Sequence, residues 1–272
     1  MMMKRYSVIL ATILAFTLST GVRAVDEKLT ATEIINKHLL AVGGKEALAK
    51  VKSRVAIGAV KKENQAEAQM MVMSEAPDRV SAAYVFPDST WRLIYDKGKT
   101  AFRPSLTREY NVVEDKYKEM LASGFMFNGM ALYNALVAET ESEKKFEARG
   151  TKKINGRQTY VVECRRDKKS GVIRLFFDAE NFMWVRTEFG RVTIPKPIGA
   201  FTNGFESKSD DDPVVDFYVE TSDFRDVDGI KLPFKLVQVV TFPLLRQKQI
   251  GTITSTISEY RQNIEIDQKM FQ

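Results

Sequence analysis

The chain has 272 residues, 44% hydrophobic and 28% charged, enough apolar content for one large core. Its 41 Lys and Arg alternate with 35 Asp and Glu along most of the length instead of gathering into a basic stripe, which speaks against a nucleic-acid partner. The single cysteine, Cys164, excludes an internal disulfide, and the single histidine, His38, leaves little material for His-based catalysis or a zinc site.

Residues 1–24 read as a secretory signal: Lys4 and Arg5, an uncharged apolar run from Tyr6 to Val22, then V-R-A ending at Ala24. Cleavage after Ala24 is expected to release residues 25–272 to the periplasm. No cysteine follows the cut, so the expected mature form carries no lipid anchor. Lys4, Arg5 and Arg23 all fall in the signal, so the formal charge of +6 drops to +3 once it is removed.

The next stretch opens with Thr30 or Thr32 as N-cap and Glu33 completing a capping box with Thr30. Ile34, Ile35, His38, Leu39 and Val42 recur at helical spacing, Gly43-Gly44 stops the helix, and Lys45 to Val51 reads as a second, shorter one. From Ser53 onward the period shifts toward two, with strand segments at Arg54–Lys61, Gln65–Ser74, Arg79–Phe86, Thr90–Tyr95 and Thr100–Pro104.

An interruption follows, and the strand pattern resumes at Lys145 to Lys153. Asn155-Gly156 predicts a two-residue hairpin, after which Tyr160, Val162 and Cys164 share a face. Strands are expected at Val172–Phe177 and Phe182–Phe189, then an irregular stretch from Gly190 to Pro213. Val214 to Arg225 alternates Val215, Phe217, Val219 and Thr221 inward against Asp216, Glu220 and Ser222 outward; Asp228-Gly229 turns the chain into Ile230–Thr241, and Gln249–Tyr260 closes the series. About eleven antiparallel strands are too many for a small flat sheet, so the sheet is expected to curl into an open barrel.

The interruption itself is unusual. Met120 to Ala138 is 19 residues without a charge, 14 of them Met, Leu, Ala, Phe, Tyr or Val. Ser123-Gly124, Asn128-Gly129 and Asn134 break it, which argues against a membrane span and for two short helices joined at Asn128-Gly129. A helical pair apolar nearly all round has to be covered on more than one side or cover something apolar itself. Met120, Met126 and Met130 add a soft surface that adapts to variable shapes.

Catalytic patterns are thin. His38 lies on the apolar stripe of the first helix, where a packing role is expected, and Cys164 reads as a small buried hydrophobe. Asp210-Asp211-Asp212 lacks the spacing of a calcium loop, and Gly43-Gly44 follows a helix where a phosphate cradle would follow a strand. Phe176, Phe177, Phe182, Trp184 and Phe189 are expected to be interior aromatics of a curved sheet. No catalytic residue, metal or cofactor is assigned.

Three segments carry a resemblance. I-I-N-K-H-L-L-A-V-G-G-K-E-A-L-A-K-V-K-S (Ile34 to Ser53), D-F-R-D-V-D-G-I-K-L-P-F-K-L (Asp223 to Leu236) and I-S-E-Y-R-Q-N-I-E-I-D-Q-K-M-F (Ile257 to Phe271) resemble periplasmic outer-membrane lipoprotein-sorting proteins of the LolA/LolB type. The resemblance implies an α+β fold: one strongly curved antiparallel half-barrel domain over 25–272, covered by short helices. It further implies an apolar cavity that accepts acyl chains of lipoproteins or related lipids, and the charge-free segment suits a lid near 114–138. The chain is longer than a minimal carrier, and Gly190 to Pro213 is one candidate for the excess.

On that reading the cavity residues are Trp91, Phe102, Phe125, Met126, Phe127, Met130, Tyr133, Phe177 and Trp184. The same nine would serve equally as ordinary core packing. Two other functions remain open at this point. One is a module that binds another envelope protein through the curved sheet and the loop Pro195 to Phe201; the other is a hydrolase built on carboxylates.

Overall fold

A computed structural model describes residues 28–62, 66–85, 90–96, 99–104, 111–112, 146–165, 172–193, 214–241 and 250–272. The signal, the lid near 114–138, the Pro195 to Phe201 loop and Asp210 to Asp212 lie outside the described residues.

The chain begins with helices α1 (Ala31–Ala41) and α2 (Lys45–Lys50). Thr30 caps α1 through a reciprocal box with Glu33: the Glu33 amide donates to the Thr30 hydroxyl at 3.2 Å, and the Thr30 amide donates to the Glu33 carboxylate at 2.8 Å. Ile34, Ile35, His38 and Leu39 form the buried stripe of α1, as the 3.6-residue spacing predicts.

Thirteen strands then form one antiparallel sheet, against about eleven expected. They are β1 (Ser53–Lys62), β2 (Ala68–Glu75), β3 (Arg79–Val85), β4 (Thr90–Asp96), β5 (Lys99–Pro104), β6 (Asn111–Val112), β7 (Phe146–Ile154), β8 (Arg157–Arg165), β9 (Val172–Asp178), β10 (Trp184–Thr193), β11 (Val214–Val227), β12 (Ile230–Thr241) and β13 (Ile250–Gln262). A 3-10 turn, Gln268–Phe271, follows. Strand β6 is two residues long and has no periodicity to read. Strand β10 runs four residues past Phe189, through a bulge at Glu188/Gly190 that breaks the alternation, so the irregular stretch starts later than the sequence suggests.

The order is β6-β5-β4-β3-β2-β1-β13-β12-β11-β10-β9-β8-β7. Two meanders are thus joined by one seam, β1 against β13, and the sheet stays open with β6 and β7 as its edges. The chain between Val112 and Phe146, which contains the charge-free segment, joins those two edges covalently.

Connections alternate between the two ends of an antiparallel sheet. At one end lie the turns at Ala76 to Asp78, Asn155-Gly156, Ala179 to Asn181 and Asp228-Gly229, together with α1 and α2. Both two-residue hairpins have positive φ at each turn residue, 47° and 85° at Asn155-Gly156 and 54° and 80° at Asp228-Gly229, which matches the strand twist. The β1–β2, β3–β4, β5–β6, β8–β9, β10–β11 and β12–β13 connections lie at the far end.

One face of the sheet holds a single continuous core with residues from β1 to β4, β8 to β13 and both helices, so the sheet curves around that face. The predicted alternation in β11 holds: Val215, Phe217, Val219 and Thr221 are buried while Asp216 and Glu220 are half-buried on the other side. The outer face carries two small clusters. Val55, Met73, Ile266 and Phe271 pack beneath the C-terminal turn, and Ile154, Val161 and Phe176 form the second. Phe176 is therefore an outer-face residue, a correction to the expectation that all five aromatics point inward; neighbours in a strand face opposite sides, and Phe177 takes the inner one.

Candidate functional site

The helical end of the inner face is plugged. His38 is fully buried, its Nδ1–H donates to the Phe182 carbonyl at 2.9 Å, and its ring lies 5.1 Å from Phe177 and 6.1 Å from Trp184. Burial drives the imidazole pKa down to about 4, so the neutral ring is the resident form at neutral pH. Two backbone contacts lock the helix stop onto the β11–β12 hairpin. The Lys231 amide donates to the Val42 carbonyl at 2.9 Å, and Gly43, at φ 134°, lies where a Cβ would come within 2.6 Å of the Gly229 carbonyl oxygen.

The three segments that carry the family resemblance meet at this end. Lys52 donates to the Asn263 side chain, the Asn263 amide donates to the Ser53 carbonyl, Arg54 donates to Gln262, and Gln262 donates to the Val227 carbonyl. Those segments specify the architecture of the plug. Phe177 and Trp184, two of the nine proposed cavity residues, belong to it as well: they are 0% and 4% exposed and pack under α1.

Between the plug and the far end the inner face is an apolar wall. Val60, Ala68, Met70, Val72, Ala82 and Leu93 line one half, and Phe189, Val215, Phe217, Val240 and Ile253 the other. Phe189 and Phe217 stack with ring centroids 5.1 Å apart. Ala56, Gly58, Ala68 and Ala82 keep the first half shallow. The backbone at position 91 pairs with Tyr84 and Pro104, and that at position 102 pairs with Leu93. Phe125, Met126, Phe127, Met130 and Tyr133 lie outside the described residues.

A few polar groups interrupt the wall. A cross-strand row runs from Lys62 through Ile253, Gln238, Val219 and Thr187 to Leu175. Lys62 is 5% exposed, and burial lowers its pKa from the usual ammonium value. The Tyr84 phenol is pushed up to about 12 by the same cause. Reading the sequence by composition passes over Lys62, because Lys61-Lys62 looks like a solvated strand end. Counting by twos from Ala56 through Val60 finds it on the inner face.

The outer face offers a different feature, a groove of about 640 Å³ lined by Ile57, Ala59, Met71, Ala83 and Val85, with Glu67, Gln69, Thr256 and Ser258 around it. Among the described residues no group of three or more His, Cys, Asp or Glu is placed to hold a metal ion, and no helix is long and apolar enough to cross a membrane. Cys164 is buried and outside any disulfide.

No protein-family model matches the chain, and no curated protein matches it in sequence. Solved structures do match. They include a LolA-superfamily protein of Nitrosomonas europaea, with a TM-score of 0.50 at 13% identity over 90% of this chain and 98% of that one. They also include the Mycobacterium tuberculosis lipoprotein LppX (TM-score 0.29, 12% identity, 87% of this chain and 98% of that one). A third is the MucA/MucB complex of Pseudomonas aeruginosa (TM-score 0.21, 9% identity, 86% and 99%). The first of these matches spans both meanders and their seam, and the fold of this chain is LolA-like: a curved antiparallel half-barrel with helices against its inner face.

Proposed function

We propose that the protein is an exported, non-catalytic carrier or sensor that holds the acyl chains of lipoproteins or other amphiphilic lipids against the inner face of the half-barrel. The observation that carries this reading is the apolar wall between the helical plug and the far end. It is lined by Val60, Met70, Leu93, Phe217 and Ile253, and the sequence between the two edge strands contains the 19-residue charge-free segment Met120 to Ala138. Burying acyl chain contributes about 0.8 kcal/mol per CH₂, so such a wall and an apolar cover suffice for binding without a catalytic group. The sole histidine is committed to the plug, which supports a non-enzymatic role.

On this reading Phe125, Met126, Phe127, Met130 and Tyr133 form the cover, Trp91 and Phe102 extend the wall, and Phe177 and Trp184 form its floor. Residues 1–24 direct export, and the released chain diffuses through the periplasm. The test is titration of the full chain, after delipidation, with cis-parinaric acid. Saturable fluorescence gain at one site supports a carrier; no gain at any concentration below the probe's micelle threshold removes it.

A second reading, an envelope-protein interaction module, draws on the outer-face groove beside Met71 and Val85. The two readings separate by mutation. Met71→Glu would impair partner capture and leave acyl uptake intact, whereas Met126→Glu would do the reverse.

A further inference from the structure

We propose that the outer-face groove over β1, β2 and β3 receives an extended peptide whose apolar side chains lie between an acidic residue and a basic residue about five positions apart. The inference rests on the interaction-module reading above and adds the chemistry of the partner to it.

Three observations carry it. The groove, of about 640 Å³, is large enough for several side chains, and Val85 at its rim is 45% exposed. The same face already holds a peptide turn of this chain: Ile266 and Phe271 lie on Val55 and Met73, and Ile57 and Met71 belong both to that cluster and to the groove, so the apolar surface continues where the turn stops. The flanks of the groove are oppositely charged. Arg92 pairs with Ala83 of the groove and faces outward, since its neighbour Leu93 belongs to the inner core; Glu67 lines the groove where the chain enters β2. Among the described residues neither forms an ion pair.

Register fixes the spacing of the two charges. Glu67 precedes Met71 along the chain, and Arg92 stands in the row of Met71 on the second strand over. Residue steps of ~3.3 Å and strand spacings of ~4.8 Å put the two backbone positions roughly 16 Å apart, which an extended peptide covers in about five residues. Polar groups favour a peptide over an acyl chain. Gln69 and Thr256 stand beside the apolar floor, and a peptide backbone offers both of them hydrogen bonds, whereas an acyl chain laid over them would leave them desolvated and unpaired. An amphiphile with one charged head would also meet only one of the two flanks. Met71 adapts to different apolar residues, so the charges at the ends set the choice.

The experiment selects a displayed library of random octapeptides on the immobilised full chain and on Met71→Glu, then measures a fluorescein-labelled winner by anisotropy. Peptides enriched on wild type should carry an acid and a base about five positions apart around apolar residues. The labelled peptide should bind tenfold or more weakly to Arg92→Glu and to Glu67→Lys, and should recover on the double variant, where it lies end for end. Glu67 is exposed and Arg92 half-buried on the outer surface, so circular dichroism of these variants should be that of wild type. Enriched peptides that depend on Met71 but carry no such charge pair, or binding indifferent to both charge variants, overturn this inference and leave the interaction module standing. A monomer-dimer equilibrium, or uptake of cis-parinaric acid, that Met71→Glu abolishes would give the groove to a second copy or to an acyl chain and overturn it likewise. No peptide enriched on wild type over Met71→Glu overturns both the module reading and this inference.

Discussion

His38 on the first helix and Phe182 in the β9–β10 turn are joined by a 2.9 Å hydrogen bond from the imidazole Nδ1–H to the backbone carbonyl, although 144 residues separate them. The bond fixes the tautomer and clamps α1 to the sheet. Burial of the ring, against the opposing pull of this bond, ties the stability of the plug to pH. The native pKa of about 4 lies below the ordinary 6.5, so between those values the unfolded state binds more protons. Stability is therefore complete above pH 6.5 and falls as pH drops toward 4, by about 3 kcal/mol from this one group. Urea unfolding at pH 7, 5.5 and 4.5 should show that loss in wild type and a shallower one in His38→Leu; parallel pH dependences would contradict it.

At the seam of the two meanders, Gly58 faces Thr256 so closely that a Cβ on Gly58 would lie 2.2 Å from the Thr256 carbonyl oxygen. The register shifts here, between Ile57 and Gly58. Gly58→Val must push β1 and β13 apart, at a cost of about 1–3 kcal/mol for forced overpacking. Thermal unfolding should report a lowered Tm, and a Tm equal to wild type would show that the strands separate freely.

The C-terminal turn seals the outer face. Phe271 is 2% exposed beneath the Arg79 guanidinium, 4.2 Å from its ring centre, and Arg79 is held by Glu75 and Asp96 at 2.8 Å each. Phe271→Ala should cost about 3 kcal/mol, as for other buried Phe truncations, measured by urea denaturation. Because this cluster is on the opposite face from the wall, acyl uptake by the folded fraction should be unchanged.

Met126→Glu tests the proposed cover. A carboxylate placed against a bound acyl chain loses hydration without gaining a partner, so uptake of cis-parinaric acid should weaken by tenfold or more. Circular dichroism should remain that of wild type. Unaltered uptake would remove Met126 from the binding surface.

Local signals were readable from the residues themselves. The Thr30–Glu33 box, the Asn155-Gly156 and Asp228-Gly229 turns and the inward set Val215, Phe217, Val219 each depend on neighbours a few positions away. The β1–β13 seam is not of that kind: Gly58 pairs with Ile257 across 199 residues, and only the Gly58 contact with Thr256 shows why a glycine is needed there. The docking of Phe271 was equally hidden, since a short I-D-Q-K-M-F tail gives no hint of which face it covers. Among the nine candidate residues, sequence found the aromatic content but not its allotment. That Phe177 and Trp184 belong to the helical plug depends on where α1 docks, which is set by the distant contacts of His38 with Phe182 and of Val42 with Lys231. Lys62 was within reach of a strict count by twos and was masked by its neighbour Lys61.

Native mass spectrometry of the protein purified from the envelope of an exporting host tests the central claim most directly. The account predicts a population heavier than the residues 25–272 polypeptide by the mass of an acyl lipid, which collapses to the bare mass on delipidation and returns when lipid is added back. A single bare mass under all three conditions would contradict it.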